Sequence, residues 1–415
     1  MPFLIVCYVI AFIDRSNIGF AKLQFTGDLG FSESIYGFGA GIFYIGYIFL
    51  EIPSNLHLSR HGVRKTLLRI MVLWGLCCAG LAFMATPGHY YGLRFLLGAA
   101  EAGLFPGILL YMTYWVPASR RARFTALFMA SIPISGTIGG PVAGTVMQSF
   151  DGVMGMHGWQ WLFIIEGLPA VLTGVVAYWY LDDKPDTSRW LTRQQKELVR
   201  DDLAAEQQAG GPKRHPSFLH ALKDPRFYAL AAPAFALMVS TGGIFFWLPS
   251  ILRSAGIESV WNIGMLSTVP FTVAFVIQFL VARRSDRKQE RCMHAALPLV
   301  AAAVGWSLLP LAASNVPVSL LLLTIASAGT FGAMGPFWSL PGTFLSGTAA
   351  AGGIALITTL AGLGNFISPT LVGWLVDQTG NLAVAQFYFG GLLLIGAVVL
   401  MVWIKPICTV TPFKA

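Results

Sequence analysis

Charge is what this chain has least of. Only 11% of its 415 residues are Asp, Glu, Lys or Arg, while 55% are hydrophobic. Soluble domains carry about 25% charged residues. There is too little polar surface here to cover a water-soluble globule, which excludes an ordinary soluble enzyme or binding domain. Cysteine is scarce as well: Cys7, Cys77, Cys78, Cys292 and Cys408 are scattered with no CxxC pair, so no disulfide framework is encoded. The N-terminal run lacks a basic leader region and leads into a polar pair instead of a small-residue cleavage site, so no cleavable signal peptide is expected. Met1 stands at the edge of the first apolar run, and a short cytoplasmic leader missing from this chain is the matching expectation.

What the chain has in abundance is apolar sequence in lengths that cross a bilayer. About 20 residues at 1.5 Å each span roughly 30 Å. Twelve such runs are expected, at about 2–25, 34–58, 66–86, 90–115, 122–148, 159–181, 226–252, 260–282, 293–313, 317–345, 351–376 and 383–405. The 317–345 run exceeds one crossing and must tilt, kink or lie partly at the interface. Prolines such as Pro53, Pro106, Pro141, Pro336 and Pro369 fall inside these runs, where neighbouring helices can satisfy the freed backbone groups. The expected fold class is an all-α membrane protein.

The basic residues are one-sided. Of 27 Lys and Arg, all but Lys22, Arg253, Arg15 and Arg94 fall on one face of a twelve-span topology. They gather at 60–69, 120–123, 182–226, 283–291 and the C-terminal tail. The positive-inside rule places both termini and the 182–226 segment in the cytoplasm. The formal charge of +8 therefore reflects topology. Charges confined to short loops between spans do not make a nucleic-acid surface.

The only long polar segment divides the chain into an N-terminal half at 1–181, a cytoplasmic linker with a surface helix at 182–225, and a C-terminal half at 226–415. Ser59-Arg60-His61-Gly62-Val63-Arg64-Lys65 and Ser285-Asp286-Arg287-Lys288-Gln289-Glu290-Arg291 occupy equivalent loops of the two halves. Two six-helix halves in parallel repeat are the layout of a carrier with its site between them near midplane. The clusters at 37–41 and 136–144 contain GxxxG spacings and are expected to be helix-packing surfaces. Neither has the flanking sequence of a phosphate-binding loop.

Against this apolar background four charges stand out. Asp14 and Arg15 interrupt the first span, and Arg94 and Glu101 lie in the fourth. Asp14 is about 18 Å along its span and Glu101 about 21 Å from Trp115, at similar depths. Arg94 and Glu101, seven residues apart, share a helix face. A charge near the bilayer centre costs at least a few kcal/mol and marks a functional site by default. A purely structural set of ion pairs is the competing reading, but buried pairs are weak stability devices. Adjacent helical residues point about 100° apart, so Asp14 and Arg15 should have separate partners. The functional roles that follow are Arg15 and Arg94 as binders of a substrate carboxylate, with Asp14 and Glu101 as proton carriers. Glu166 in the sixth span is expected to make a structural hydrogen bond. His57 and His61 have the spacing of a metal pair but no third ligand, so no metal and no cofactor are expected.

These residues also carry a family resemblance. Phe12-Ile13-Asp14-Arg15-Ser16-Asn17, Gly46-Tyr47 through Glu51-Ile52-Pro53-Ser54-Asn55, and Arg94 through Gly103 are similar to the anion:cation symporter branch of the major facilitator superfamily. So are Gly335-Pro336-Phe337-Trp338 and Phe344 through Gly353. Ser59 departs from the superfamily, which usually has an acid before the loop arginine, and this puts the first-half loop clamp in question. The resemblance implies the twelve-helix major facilitator fold and substrate contacts at Tyr47, Trp338 and Asn365. It implies proton-coupled import of a carboxylate or sugar acid by alternating access, with anion exchange or uniport as the alternative mode. A membrane enzyme or sensor is disfavoured, because the seven histidines are scattered and the longest polar segment is too short for an output domain. The expected setting is the plasma (inner) membrane, as a monomer, with a small organic anion, protons and the bilayer as partners.

Overall fold

A computed structural model describes residues 2–117, 124–125, 128–209, 225–312, 314–341 and 347–405. Arg120, Arg121 and Arg123, the Gly210-Gly211-Pro212 stretch of the linker, Phe344 at the head of the late motif and Cys408 lie outside the described residues.

The described chain is helical. Its helices are α1 (Pro2–Leu29), α2 (Glu33–His61), α3 (Val63–Leu81), α4 (Pro87–Glu101), α5 (Leu104–Trp115), α6 (Ser131–Ser149) and α7 (Gly158–Tyr180). They continue with α8 (Arg193–Ala209), α9 (Pro225–Ser254), α10 (Val260–Lys288), α11 (Cys292–Leu308), α12 (Val316–Ser339), α13 (Gly347–Thr379) and α14 (Ala383–Val399). Ten helical segments among the described residues are long and apolar enough to cross a membrane. The expected third and fifth spans are not among them, for different reasons. The 19-residue α3 opens with Arg64, Lys65 and Arg69, which leaves no full crossing of low charge. In α6 the apolar character is diluted by Gly136, Gly139, Gly140, Gly144, Ser131, Ser135 and Thr137.

The fourth span is one run in sequence but two helices in space. α4 starts on a Thr86 cap whose hydroxyl accepts from the His89 N–H, with Pro87 at its first position, a favoured start. It ends at Glu101. Ala102 leaves the helical region, Gly103 takes φ +89°, and α5 begins at Leu104. Only glycine adopts that backbone without strain.

Small residues set the closest helix crossings. A Cβ on Gly98 of α4 would run into the Phe43 carbonyl of α2, and one on Gly46 would strike the Phe95 carbonyl. Gly75 of α3 and Gly167 of α7 oppose each other's carbonyls in the same way. Both glycine clusters marked in the sequence are used: Gly37 meets the Pro369 carbonyl, and Gly140 meets Gly264 of α10. These are the close approaches expected of small-residue faces.

Two compact units can be distinguished. The first comprises Met1–Arg15, Ile42–Ser135 and Gly152–Lys213; the second comprises Ser16–Gly41, Gly136–Asp151 and Arg214–Ala415. The boundaries between them fall inside α1, α2 and α6. In the first unit, the loop after α2 finds its acid elsewhere in the chain. Asp183, just beyond α7, accepts from the Arg64 N–H at 3.1 Å, and Arg64 Nε donates to the Tyr178 carbonyl at 2.7 Å. A distant acid thus engages the loop in which Ser59 stands. Nearby, partial burial would raise the Asp182 carboxyl, but the Arg189 N–H and guanidinium hold it below its ordinary range. In the second unit, Arg291 pairs with Asp286 in the equivalent loop.

Buried charge is unevenly distributed. Among the described residues the buried charged side chains are Asp14, Lys22, Arg94, Glu101, Glu166 and Asp182. All belong to the first 182 residues; from Pro225 onward the buried polar side chains are serines, threonines and Gln386.

Candidate functional site

The polar centre of the first unit is assembled from five elements, with Tyr47 contributed by α2. α1 supplies Asp14 and Arg15, α3 supplies Cys78, α4 supplies Arg94 and Glu101, and α7 supplies Glu166. Arg15 Nη2 lies 2.5 Å from Glu101 Oε1, with Arg15 13% exposed and Glu101 fully buried. The Arg15 guanidinium carbon sits 4.9 Å from the Phe12 ring centroid and 5.3 Å from those of Phe43 and Tyr47. Arg94 lies over the same Phe43 ring at 5.0 Å. Two guanidiniums therefore share one aromatic ring, whose face offers partial negative charge without an acid. Glu101 Oε2 has no hydrogen-bond partner among the described residues.

Asp14 turns a different way, as the 100° offset requires. Its carboxylate, the Cys78 thiol and the Glu166 carboxylate place one ligand atom each within 4.8 Å of one another, all three buried. The Cys78 thiol donates to the Phe163 carbonyl at 3.4 Å. Asp14 Oδ2 and both carboxylate oxygens of Glu166 have no hydrogen-bond partner among the described residues. The structural hydrogen bond expected of Glu166 is therefore not made. The carboxyl instead faces another acid.

Of the seven residues singled out in the sequence, five gather here: Asp14, Arg15, Tyr47, Arg94 and Glu101. Trp338 and Asn365 belong to the second unit. Trp338 is half-buried near the end of α12, edge-on to Phe337 at 5.2 Å, and Asn365 is half-buried in α13. His57 and His61 stack at 4.1 Å, with His61 Nδ1 3.2 Å from the His57 carbonyl, so one ring nitrogen faces the backbone. Sequence reasoning missed Phe12 and Phe43, because a phenylalanine in an apolar helix carries no signal of what lies over its face.

The second unit holds a polar cluster of its own. Lys22, counted above only as a topological charge, is 4% exposed. Its ammonium lies 2.5 Å from Glu33 Oε2 and donates to Ser250 Oγ at 3.1 Å. It also lies over the Trp247 and Tyr36 rings at 4.0 and 4.8 Å. The Asp377 carboxylate accepts from the backbone N–H groups of Glu33 and Ser34 at 3.0 and 2.8 Å.

Known proteins place this arrangement in a family. The chain is 42% identical over 402 residues to a candidate tartrate transporter of Agrobacterium vitis, covering 97% of this chain and 92% of the relative. It is 38% identical to the Quinolone resistance transporter of Acinetobacter baumannii, covering 96% and 91%. In structure it resembles the inward open xylose transporter XylE from E. coli, with a TM-score of 0.78 over 97% of this chain and 95% of that one. At 16% identity that likeness speaks for the fold alone. Every relative named here is a transporter, so a carrier and not an enzyme is what these helices build. With the Major Facilitator Superfamily model matching residues 4–360, the chain belongs to that superfamily.

Proposed function

We propose that this carrier imports an organic carboxylate together with protons, by alternating access of two six-helix halves with both termini in the cytoplasm. The single observation that carries this reading is the buried Arg15–Glu101 pair. A guanidinium stays charged when desolvated and donates to a carboxylate bidentately. A substrate carboxylate arriving at Arg15 competes with Glu101 for the same donors. Once displaced, the Glu101 carboxylate stands in an apolar setting without its counter-charge, and binding a proton removes that cost. Arg94 and Tyr47 lie with Arg15 in the first unit, and Trp338 and Asn365 are further substrate contacts that the family resemblance implies. The name of the Agrobacterium relative supports a carboxylate substrate.

The membrane potential supplies the motive for coupling. Moving one negative charge inward costs about 2.3 kcal/mol per 100 mV. A co-transported proton cancels that cost for a monoanion, and a second acid leaves room for a dianion.

Uptake of tartrate, phthalate and gluconate into proteoliposomes, with and without a pH gradient, tests the proposal. The expected result is gradient-driven accumulation of at least one, accompanied by proton entry. Glu101→Gln should abolish gradient-driven accumulation while leaving exchange of labelled for unlabelled substrate. Undiminished proton-coupled uptake in that variant would remove Glu101 from the relay. Exchange without proton movement in the unaltered protein would instead make it an exchanger.

A further inference from the structure

We propose that Asp14 and Glu166 form a carboxyl pair that shares one proton in the substrate-free protein, and that this pair, not Asp14 alone, is a proton store of the transport cycle. The proposal rests on the reading that buried acids carry the coupling protons, and it adds α7 to the helices taking part.

Three observations converge on the pair. The first is proximity: Asp14, Cys78 and Glu166 direct their polar atoms to within 4.8 Å of one another. The second is lack of satisfaction. Both oxygens of Glu166, a residue 6% exposed, and one oxygen of Asp14, 4% exposed, have no hydrogen-bond partner among the described residues. A buried carboxylate without donors is among the costliest groups a protein can hold. A proton on one of the two carboxyls removes one uncompensated charge and gives an O–H that can point towards the other acid.

The third observation is the charge count. The buried centre of the first unit holds three acids, Asp14, Glu101 and Glu166, and two guanidiniums, Arg15 and Arg94. Fully ionised, the set carries one excess negative charge. One resident proton makes it neutral. Glu101 already has a guanidinium at 2.5 Å, so the proton belongs on the two acids that face each other. Two like charges this close in a low-dielectric setting do not both ionise, and such sites titrate as a unit. The other groups facing the pair are Arg94 and Glu101 from α4, Arg15 from α1, and Trp74 and Cys77 from α3. None adds an acid or base beyond those already counted. Asp14, Cys78 and Glu166 offer three side chains, which a zinc ion could use only with a further ligand; a proton needs only two oxygens.

The pair gives the cycle a second coupling step. Arg94 is the stronger cationic neighbour of Asp14. When a substrate carboxylate draws Arg94 towards itself, the pair loses its nearest counter-charge. It then takes a second proton from solvent, one further O–H bond forming on the pair.

Infrared difference spectroscopy of the purified carrier in lipid nanodiscs reads the resident proton directly, without substrate. The unaltered protein should show a protonated-carboxyl stretch at neutral pH, shifted by deuterium exchange. That band should vanish in both Asp14→Asn and Glu166→Gln. A band absent from the unaltered protein, or surviving either substitution, overturns the pair. Should Glu166→Gln fail to fold, Glu166→Asp keeps a carboxyl and should shift the band; an unmoved band again overturns it. Proton uptake on adding tartrate, phthalate or gluconate separates this proposal from the one it rests on. A band without proton uptake removes the symport reading and reduces the pair to a static proton. Proton uptake without the band removes the pair and leaves symport standing.

Discussion

Arg15 is held by one carboxylate and three rings, and the two kinds of contact do different work. The Glu101 carboxylate neutralises its charge, while Phe12, Phe43 and Tyr47 hold the guanidinium plane and keep water from its faces. A lysine would keep the charge but lose both the planar fork and the stacking. Arg15→Lys should therefore raise the half-saturation concentration for carboxylate uptake while leaving the protein folded. Hydrogen bonds to charged groups are worth about 1.5–3 kcal/mol, so the expected rise is roughly 10- to 100-fold. An unchanged concentration dependence would take Arg15 out of the binding site. At this scale the sequence was most legible where it was most expensive. Asp14, Arg15, Arg94 and Glu101 break apolar runs, and cost alone marks them. Their partners were harder to read. Glu166 gave no hint that it faces Asp14, because a single acid in an apolar helix fits any neighbour, and Cys78 is as much a small apolar residue as a thiol.

Among the elements, glycine contacts decide how close the helices come. Gly98 on α4 packs against the Phe43 backbone of α2, whereas a Cβ on Gly92 of the same helix would meet nothing within 4 Å. A carbonyl in a packed helix cannot move aside like a flexible side chain. Gly98→Ala should lower stability by about 1–3 kcal/mol, seen as an earlier thermal unfolding in detergent, while Gly92→Ala should not. Equal behaviour of the two variants would refute the crossing. A different device starts α11. The Glu290 carboxylate accepts from the Met293 and His294 N–H groups at 2.7 and 3.2 Å, and the His294 ring donates to it at 2.7 Å. Partial burial works against its ionisation, but those donors prevail and hold it below the usual carboxylate range. A carboxyl depressed in the folded state adds stability above its unfolded value, and that contribution disappears as pH falls through the folded one. Glu290→Gln should therefore cost about 0.5–1 kcal/mol at neutral pH, reduced by solvent screening, and converge with the parent in acid. Melting curves across pH check this; a constant difference would contradict it. Helix positions were legible from apolar run length. The break after Glu101 was not, because the run continues unbroken in hydropathy through Ala102 and Gly103, and only backbone geometry shows the turn.

For the whole molecule, topology rests on the one-sided distribution of Lys and Arg. A cysteine placed at Ser59, in a background where the native cysteines are serine, should resist an impermeant maleimide on intact cells and react after permeabilisation. One placed at Asn381 should react from outside. The reverse pattern would invert the carrier. The central polar segment suggests two halves, whereas the boundaries of the compact units inside α1, α2 and α6 leave no mark in composition. The concentration of buried charge in the first 182 residues has an electrical consequence. Among the described residues, the buried charged side chains that could sweep through the field during the conformational cycle all lie in the N-terminal helices and the turn after α7, because the described C-terminal helices bury none. In its described buried side chains the carrier is thus a one-sided capacitor, with the fixed charge on its N-terminal side.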